Sequence, residues 1–274
     1  MKAMRKITSR DNQKLKYARK LRDGVIKDAV FVEGVRLGEE VLRSNLIINE
    51  CFFCDGFTEN KRGRELIKTI SETTENISEI EKTIFQTIAD TKTSQGIVLI
   101  VEKPNTTKEN FELKFKDFSP EFPIVLFLSE INNPANLGAI LRTAEAVGVN
   151  GVIISENSAD AFSPKSARSA MGANLRLTIR ENANLTDVLI WAKKKNLVTT
   201  AADINAENAY TKIDWKIPRL LIFGSEAHGL SVGDLKMIGD TIYVPMENGV
   251  ESLNLAVSCG IILFEAKRQI GNLT

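Results

Sequence analysis

Several polar side chains with the potential for chemistry stand where apolar segments of this 274-residue chain end or begin. Glu226 follows the apolar run Leu220–Phe223, so it is either a site carboxylate or a capping or ion-pairing residue. Ser252 and Asn254 open an apolar stretch that continues to Phe264 and predicts a helix buried on most sides. Their side chains can cap this helix or hold a ligand at its N terminus, where free N–H groups attract polar partners.

Arg142 stands on another predicted helix, which begins after Asn133 and ends at Gly148. Asparagine followed by proline favours a helix start, and glycine favours a helix end. Arg142 lies off the apolar face, one turn beyond Gly138, and a glycine there leaves room for a backbone or a ligand. Exposed helical arginines are usually only solvated, so the pattern by itself leaves both interpretations open.

A glycine-rich turn follows the buried strand predicted around Leu220–Phe223. Gly224 in this turn would let a ligand approach the backbone closely. His228 is the single histidine of the chain, and we interpret it as incidental rather than as a general base. The motifs G-x-G-x-x-G and G-x-x-x-x-G-K-[ST] are absent from the sequence, so nothing beyond an α/β pattern supports a dehydrogenase or a P-loop enzyme.

Three ordered segments resemble the signature motifs of the SpoU (TrmH) family, which are RNA ribose 2′-O-methyltransferases of the SPOUT superfamily that use S-adenosylmethionine. They are N-P-x-N-L-G-A-I-L-R-T-A-x-x-x-G from Asn133, G-x-E-x-x-G-L-S from Gly224, and V-P-M-x-x-x-V-E-S-L-N-L-A-V from Val244. Many family members have aspartate where Asn133 stands, a departure that affects capping more than chemistry.

The resemblance implies an α/β catalytic domain with a parallel sheet and a deep trefoil knot. It assigns the catalytic arginine to Arg142 and supporting site roles to Asn136, Glu226, Ser252 and Asn254. It also implies a homodimer that uses the final helix, and we expect no metal. S-adenosylmethionine is expected on the knot loops, bound in a bent form largely by backbone groups, and these loops carry Thr200, Gly224, Val244, Met246 and Leu253.

The N-terminal third alternates predicted strands and helices, which indicates a small α/β domain over residues 1–102. Its segments Phe31–Arg36 and Gln95–Ile97 resemble a ribosomal-protein-like domain that binds RNA in many SpoU enzymes. Prolines punctuate residues 103–123, which we predict to be a linker. The SpoU methyltransferase domain is then expected over residues 124–274.

A basic stretch opens the chain, although the net charge is only +1. It is either a phosphate-contacting surface or a solvated helix face. Arg168, in a segment that resembles a connecting region of the family, is a further candidate contact with RNA or with a second subunit. The basic residues of the opening stretch are Lys2, Arg5, Lys6, Arg10, Lys14, Lys16, Arg19, Lys20 and Arg22. Four others could join them in contacting RNA, namely Arg36, Lys61, Arg62 and Arg64.

Cysteine usage favours a reducing cytosol, since three cysteines and no secretory signal are present. Cys51 and Cys54 form a C-x-x-C pair, but a zinc site needs two further ligands and only Cys259 and His228 remain. Core packing is the better interpretation of the pair. No apolar stretch reaches the roughly 18 residues that a membrane span requires.

Two rival functions stay open beside RNA 2′-O-methylation. One is a non-catalytic RNA-binding or ribosome-assembly protein on the same scaffold, and the other is a SPOUT enzyme that methylates a base, against which the S-L-N motif argues. The sequence does not name the RNA. Large-subunit ribosomal RNA is favoured over transfer RNA, because the added N-terminal domain resembles that of the ribosomal enzymes.

Overall fold

A computed structural model of the chain describes residues 5–116 and 122–271. Lys2 and residues 117–121, which belong to the predicted basic stretch and linker, lie outside the described residues. The chain divides into two compact units. The N-terminal unit comprises the chain up to Pro104 together with Ala161–Arg176, and the C-terminal unit comprises Asn105–Asp160 together with the chain from Leu177.

The strands and helices alternate through both units. The strands are β1 (Arg5–Ile7), β2 (Ala29–Glu33), β3 (Ile48–Cys54), β4 (Ile77–Ile80), β5 (Ile97–Glu102), β6 (Ile124–Leu128), β7 (Gly151–Ser155), β8 (Ile179–Ala183), β9 (Val198–Ala202), β10 (Asn208–Ala209), β11 (Arg219–Phe223) and β12 (Asp240–Tyr243). The helices are α1 (Gln13–Arg22), α2 (Val35–Ser44), α3 (Lys61–Thr73), α4 (Lys82–Phe85), α5 (Lys108–Lys114), α6 (Pro134–Val147), α7 (Pro164–Ala170), α8 (Leu185–Lys194), α9 (Val232–Leu235) and α10 (Leu255–Ile270).

The N-terminal unit contains a five-stranded sheet in the order β1-β4-β3-β5-β2. β5 runs antiparallel to both of its neighbours, and the other pairs are parallel. Phe31, Phe52 and Val98 from three of the strands pack with Leu15 of α1 in a buried cluster. This is the small α/β unit that the alternating pattern predicts.

The C-terminal unit contains a seven-stranded parallel sheet in the order β10-β12-β9-β11-β6-β7-β8. β6, β7 and β11 are buried throughout, as expected of continuous apolar runs in the interior of a parallel sheet. β11 lies between β6 and β9, although it follows both in the chain. The predicted α/β class with a parallel sheet is confirmed, and the carboxyl ends of β6, β9, β11 and β12 share one edge.

Two segments differ from the predicted domain boundaries. Part of the predicted linker forms α5, because Phe111 and Phe115 stack at a centroid distance of 4.6 Å and both meet the edge of Trp191. Residues 161–176 fall within the predicted methyltransferase domain but belong to the N-terminal unit, where α7 contacts β2. Both differences arise from tertiary contacts that a local pattern does not encode.

The final helix, α10, is less buried than its composition predicts. It packs against α6 and buries Cys259, Ile262, Leu263 and Ala266. Val257 is 50% exposed and Phe264 is 48% exposed, so the prediction of a helix buried on most sides is wrong for this chain. An apolar sequence predicts that a helix face is shielded from water, but it does not identify the surface that covers this face. Within residues 5–116 and 122–271 no helix is long and apolar enough to cross a membrane.

Candidate functional site

Three polar side chains from distant parts of the sequence form a hydrogen-bonded chain at the starts of α6 and α10. The Nδ2 atom of Asn136 donates to Oε1 of Glu226 over 3.2 Å, and Nδ2 of Asn254 donates to Oδ1 of Asn136 over 3.1 Å. Glu226 also accepts the backbone N–H groups of Asn132 and Asn133, at 3.2 and 3.3 Å. The carboxylate therefore binds the loop that precedes α6, which orders three segments around one site.

A tight turn after β11 presents Glu226 to that loop. The backbone N–H and carbonyl groups of Ser225 and Gly229 exchange hydrogen bonds of 3.1 and 3.0 Å, which closes the turn. A Cβ atom added at Gly224 would lie 2.2 Å from the carbonyl carbon of Gly229. This contact leaves no space for a side chain, so glycine is required at residue 224 for the turn to close.

Asn254 caps α10, whereas Ser252 does not. The Oδ1 atom of Asn254 accepts the N–H groups of Ala256 and Val257, at 3.0 and 3.4 Å. Ser252 lies two residues before this N-cap, is exposed, and has no hydrogen bond from its hydroxyl in the part of the chain that the structure describes. Of the two capping candidates, only Asn254 satisfies free N–H groups of the helix.

Arg142 is exposed on α6, six residues beyond Asn136, which corresponds to about 9 Å along the helix axis. Gly138, one turn before it, is buried in the packed face of the helix. No hydrogen bond or ion pair holds the Arg142 guanidinium within the described ranges 5–116 and 122–271. The structure thus leaves this cation free for an anionic group, but it does not bond Arg142 to the Asn136–Glu226–Asn254 chain.

Four of the five predicted cofactor positions lie in segments that follow strands β11 and β12. Gly224 follows β11 directly, and Val244 follows β12 directly, with Met246 two residues later. Val244 and Met246 are half-buried, and Leu253 is 36% exposed. In open α/β sheets, ligands bind in a crevice beyond the carboxyl ends of the strands.

Thr200 differs from the other four positions because it lies within strand β9 and not after a strand. Its side chain is buried, and its Oγ1 accepts a hydrogen bond of 2.7 Å from Arg219, which also pairs with Asp240 at 2.7 Å. Asp203, the first residue after β9, lies at the carboxyl edge instead, and its N–H donates to the carbonyl of Ile242 over 2.9 Å.

The three cysteines are buried or half-buried thiols. Burial raises the pKa of Cys51 and of Cys259 far above the ordinary thiol range, and it also raises the pKa of Cys54. All three thiols are free. Among residues 5–116 and 122–271 no three His, Cys, Asp or Glu side chains are grouped to hold a metal ion.

Much of the predicted basic surface makes contacts within the N-terminal unit. Arg19 donates to the hydroxyl of Thr87, and Arg22 donates to the carbonyls of Thr87 and Ala89. Arg62 holds Glu39 through two hydrogen bonds of 2.7 Å, and these bonds lower the pKa of the Glu39 carboxyl. Several arginines proposed to meet RNA therefore already have internal partners.

A parallel α/β sheet with a polar site at the carboxyl edge of its central strands is an architecture of ligand-binding enzymes. Residues 123–264, just over half of the chain, match the SpoU rRNA Methylase family. Residues 31–107 match the domain described as RNA 2′-O ribose methyltransferase substrate binding. The chain belongs to the SpoU rRNA methylase family, which confirms the resemblance carried by the three motifs.

Individual relatives agree with the family assignment. The 23S rRNA (guanosine(2553)-2′-O)-methyltransferase RlmP of Bacillus subtilis is 27% identical over 267 residues, which cover 96% of this chain and all of that protein. An uncharacterised tRNA/rRNA methyltransferase of Synechocystis sp. is 37% identical over 150 residues. The chain spans about half the length of the Synechocystis protein and of the mitochondrial rRNA methyltransferase 3A of Danio rerio, at 55% and 52%.

A solved structure extends the likeness to both units. The AdoMet-bound rRNA methyltransferase of Sinorhizobium meliloti has a TM-score of 0.81 and 26% sequence identity, and the match covers 97% of this chain and 98% of that one.

Proposed function

We propose that this chain is an S-adenosylmethionine-dependent RNA methyltransferase that modifies a ribose 2′-hydroxyl of large-subunit ribosomal RNA. The observation that carries the proposal is the hydrogen-bonded chain of Asn136, Glu226 and Asn254. It brings one residue from each of the three family motifs into one site. A protein that only retained the fold would not need these three groups to be joined.

The proposed reaction is an in-line methyl transfer to a poorly acidic hydroxyl. Bound S-adenosylmethionine would supply the methyl group on a good leaving group, so the chain itself has to align the ribose and assist loss of the proton. We assign this task to Arg142, whose exposed guanidinium is suited to a backbone phosphate. Since arginine stays protonated, Arg142 would act by orienting the phosphate and lowering the hydroxyl pKa electrostatically, and the proton would pass to solvent water.

The remaining site residues divide into bracing and binding roles. Asn136, Glu226 and Asn254 brace the loops before α6 and α10, and the exposed hydroxyl of Ser252 is assigned to the nucleotide. The cofactor would lie beyond the carboxyl ends of β11 and β12, on backbone groups of the predicted positions. Thr200 would contribute only through its backbone, because its side chain is buried within β9, where it contacts Arg219. The proposed cofactor positions are Gly224, Val244, Met246 and Leu253, with Thr200 in this reduced role.

A threaded chain is consistent with the sheet order. β11 lies between β6 and β9, and the last helix packs against α6, the helix that follows the first strand of the C-terminal unit. Both features support the deep trefoil knot expected of a SPOUT domain. The knot would hold the loops after β9, β11 and β12 together and so make the cofactor site rigid.

A homodimer through α10 is proposed from the apolar face that the helix leaves uncovered. Val257 and Phe264 of α10 are 50% and 48% exposed, and they are spaced by seven residues, or two helical turns. Aromatic and aliphatic side chains exposed along one helix mark an interaction surface.

Ribosomal RNA in the cytoplasm is the proposed substrate. Support comes from the substrate-binding match over residues 31–107 and from the full-length likeness to a 23S rRNA methyltransferase. Transfer RNA is the alternative substrate. A non-catalytic RNA-binding or assembly role is the alternative function, and the joining of Asn136, Glu226 and Asn254 in one site favours catalysis over it.

Methylation mapping tests the proposal directly. Purified protein and labelled S-adenosylmethionine would be incubated with unmodified large-subunit rRNA and, separately, with transfer RNA, beside an Arg142→Ala control. One alkali-resistant linkage in the rRNA, absent from the control, is the expected result. Label in transfer RNA alone would keep the chemistry and overturn the substrate. A methylated base would refute ribose methylation, and bound cofactor without any label would support the binding-protein alternative.

A further inference from the structure

The segment Ala161–Arg176, here called the crossover segment, connects β7 to β8 of the C-terminal unit yet belongs to the N-terminal unit. The polypeptide therefore passes between the units after Pro104, after Asp160 and after Arg176. A single linker would need only the first of these passages. The other two bring α7 into contact with β2, so a piece of the methyltransferase sequence is built into the N-terminal unit.

The crossover segment is closed on itself. The side chain of Asn174 is fully buried, and its Nδ2 donates to the carbonyl of Ala161 over 2.9 Å, which ties the two ends of the segment. Gly172 has a φ of 84°, and a Cβ atom added to it would lie 2.5 Å from Cβ of Glu40. The segment can approach α2 this closely because residue 172 carries no side chain.

Two ion pairs join the crossover segment to the rest of the N-terminal unit. Nη1 of Arg176 lies 2.7 Å from Oε2 of Glu40, with the two side chains 25% and 18% exposed. Arg168 pairs with Asp90, with the side chains 36% and 28% exposed. Pairs sheltered in this way are less screened by salt than fully exposed ones.

Asp90 is itself held in place by a buried residue of the N-terminal unit. The carboxylate of Glu33, a buried residue of β2, accepts the N–H groups of Asp90 and Thr91 at 2.7 and 3.1 Å. Asp90 thus meets Arg168 from a fixed backbone. A fixed partner reduces the conformational entropy that forming the pair has to overcome.

We propose that Arg168 and Arg176 are positioning residues whose ion pairs, here called the latch pairs, hold the crossover segment within the N-terminal unit in the conformation that binds RNA productively. The kinetic part of this proposal rests on the proposed function. Without one of these ion pairs, the crossover segment would have to become ordered each time RNA binds. Because this ordering costs conformational entropy, the KM for RNA would rise while kcat would change little.

Exchanging the charges of Arg168 and Asp90 distinguishes this positioning role from a direct contact with RNA. Asp90→Arg and Arg168→Asp are each expected to raise the KM for unmodified large-subunit rRNA by about tenfold, with kcat within about twofold. The double variant Asp90→Arg/Arg168→Asp restores the pair and should return the KM to within about threefold of wild type. If Arg168 instead contacts RNA, the double variant stays as impaired as Arg168→Asp, which would overturn the proposal.

Glu39→Arg is the matched control. It makes the same change of charge as Asp90→Arg in the same unit, and it breaks the Glu39–Arg62 pair, which does not involve the crossover segment. The KM for RNA should not rise in this variant. A rise equal to that of Asp90→Arg would mean that charge in the N-terminal unit, and not the latch pairs, governs RNA binding.

Hydrogen exchange provides a readout that does not depend on methylation. Amides of the crossover segment should exchange faster in both single variants, return to wild-type rates in the double variant, and remain unchanged in Glu39→Arg. If the wild-type protein methylates no RNA, the proposed function fails while this measurement still decides the role of the latch pairs. Unchanged exchange in the single variants would refute that role whatever the kinetics.

Discussion

Asn254, the N-cap of the last helix, donates its side-chain N–H to the side-chain oxygen of Asn136, which lies 118 positions earlier in the first turn of α6. The opposite end of the same Asn254 amide accepts two N–H groups of α10. One side chain therefore both starts a helix and joins that helix to the site. These two tasks use different atoms, so substitution can separate them.

Asn254→Asp should keep the helix cap and lose the bond to Asn136. Aspartate is as good an N-cap as asparagine, so we expect the free energy of unfolding to change by less than about 0.5 kcal/mol. A carboxylate facing Oδ1 of Asn136 cannot donate a hydrogen bond to it, so methyl transfer should fall on the order of 10²-fold. Chemical denaturation and single-turnover methylation on the same preparation measure both.

Asn254→Ala is the companion variant, because it removes both functions. It should lose about 1 kcal/mol of stability through the missing cap and as much activity as Asn254→Asp. Wild-type activity in Asn254→Asp would show that the bond to Asn136 has no part in the reaction. An unfolded Asn254→Ala protein would assign a purely structural role to this residue.

Arg142→Ala should abolish turnover without affecting stability. The guanidinium is exposed, so its loss should change the free energy of unfolding by less than about 0.5 kcal/mol. Loss of a cation that stabilises developing charge should lower kcat at least on the order of 10²–10³-fold. Calorimetry should find S-adenosylmethionine binding within about twofold of wild type. Equal turnover in the variant would falsify the assigned role.

Gly224→Ala should disrupt the turn that presents Glu226. The added Cβ would lie 2.2 Å from the carbonyl carbon of Gly229, and this backbone cannot rotate away as a side chain would. We expect a loss of about 1–3 kcal/mol in stability, together with loss of cofactor binding. Gly233→Ala is the control, since its Cβ would meet Ser231 at an ordinary 3.6 Å. A folded Gly224→Ala protein with normal cofactor binding would contradict the prediction.

Local signals were sufficient to predict the main elements of both units. Asn133 followed by Pro134 marked the start of α6, and Gly148 marked its end, because capping chemistry is local. β6 and β11 were readable as central strands from their unbroken apolar runs. The short edge strand β1 was missed, because three residues with one buried side chain carry no period.

Features that depend on contacts between distant parts of the chain could not be predicted from the sequence. Arg168 was interpreted as a contact for RNA or a second subunit, and its pairing with Asp90 depends on the path of a segment that no local pattern describes. Thr200 was assigned to the cofactor from its motif position, but its hydroxyl accepts a hydrogen bond from Arg219 on the neighbouring strand. The motifs named the polar residues of the site without indicating that Asn136 joins the other two.

The half-buried Cys54 should react with a thiol reagent faster than the buried Cys51 and Cys259. Burial raises the pKa of Cys51 and Cys259 above the ordinary thiol range, so little thiolate forms at pH 8, and it raises the pKa of the half-buried Cys54 as well. Native protein treated with a thiol reagent at pH 8 should therefore label slowly at Cys54 alone. Labelling of all three cysteines is expected in denaturant. Rapid native labelling of Cys259 would show that α10 separates from α6.

Charge on the exposed face of α10 should dissociate the proposed homodimer. Val257 and Phe264 are half-exposed apolar residues of α10, and in a two-fold interface each substitution acts twice. Burying such side chains contributes about 1.5–3 kcal/mol each, so Val257→Glu and Phe264→Glu should each shift the measured mass from two chains to one at micromolar protein. Ile204→Glu is the control, because Ile204 is 61% exposed and lies outside α10. Light scattering after size exclusion would report the masses, and two-chain complexes in both α10 variants would place any subunit contact elsewhere on the protein.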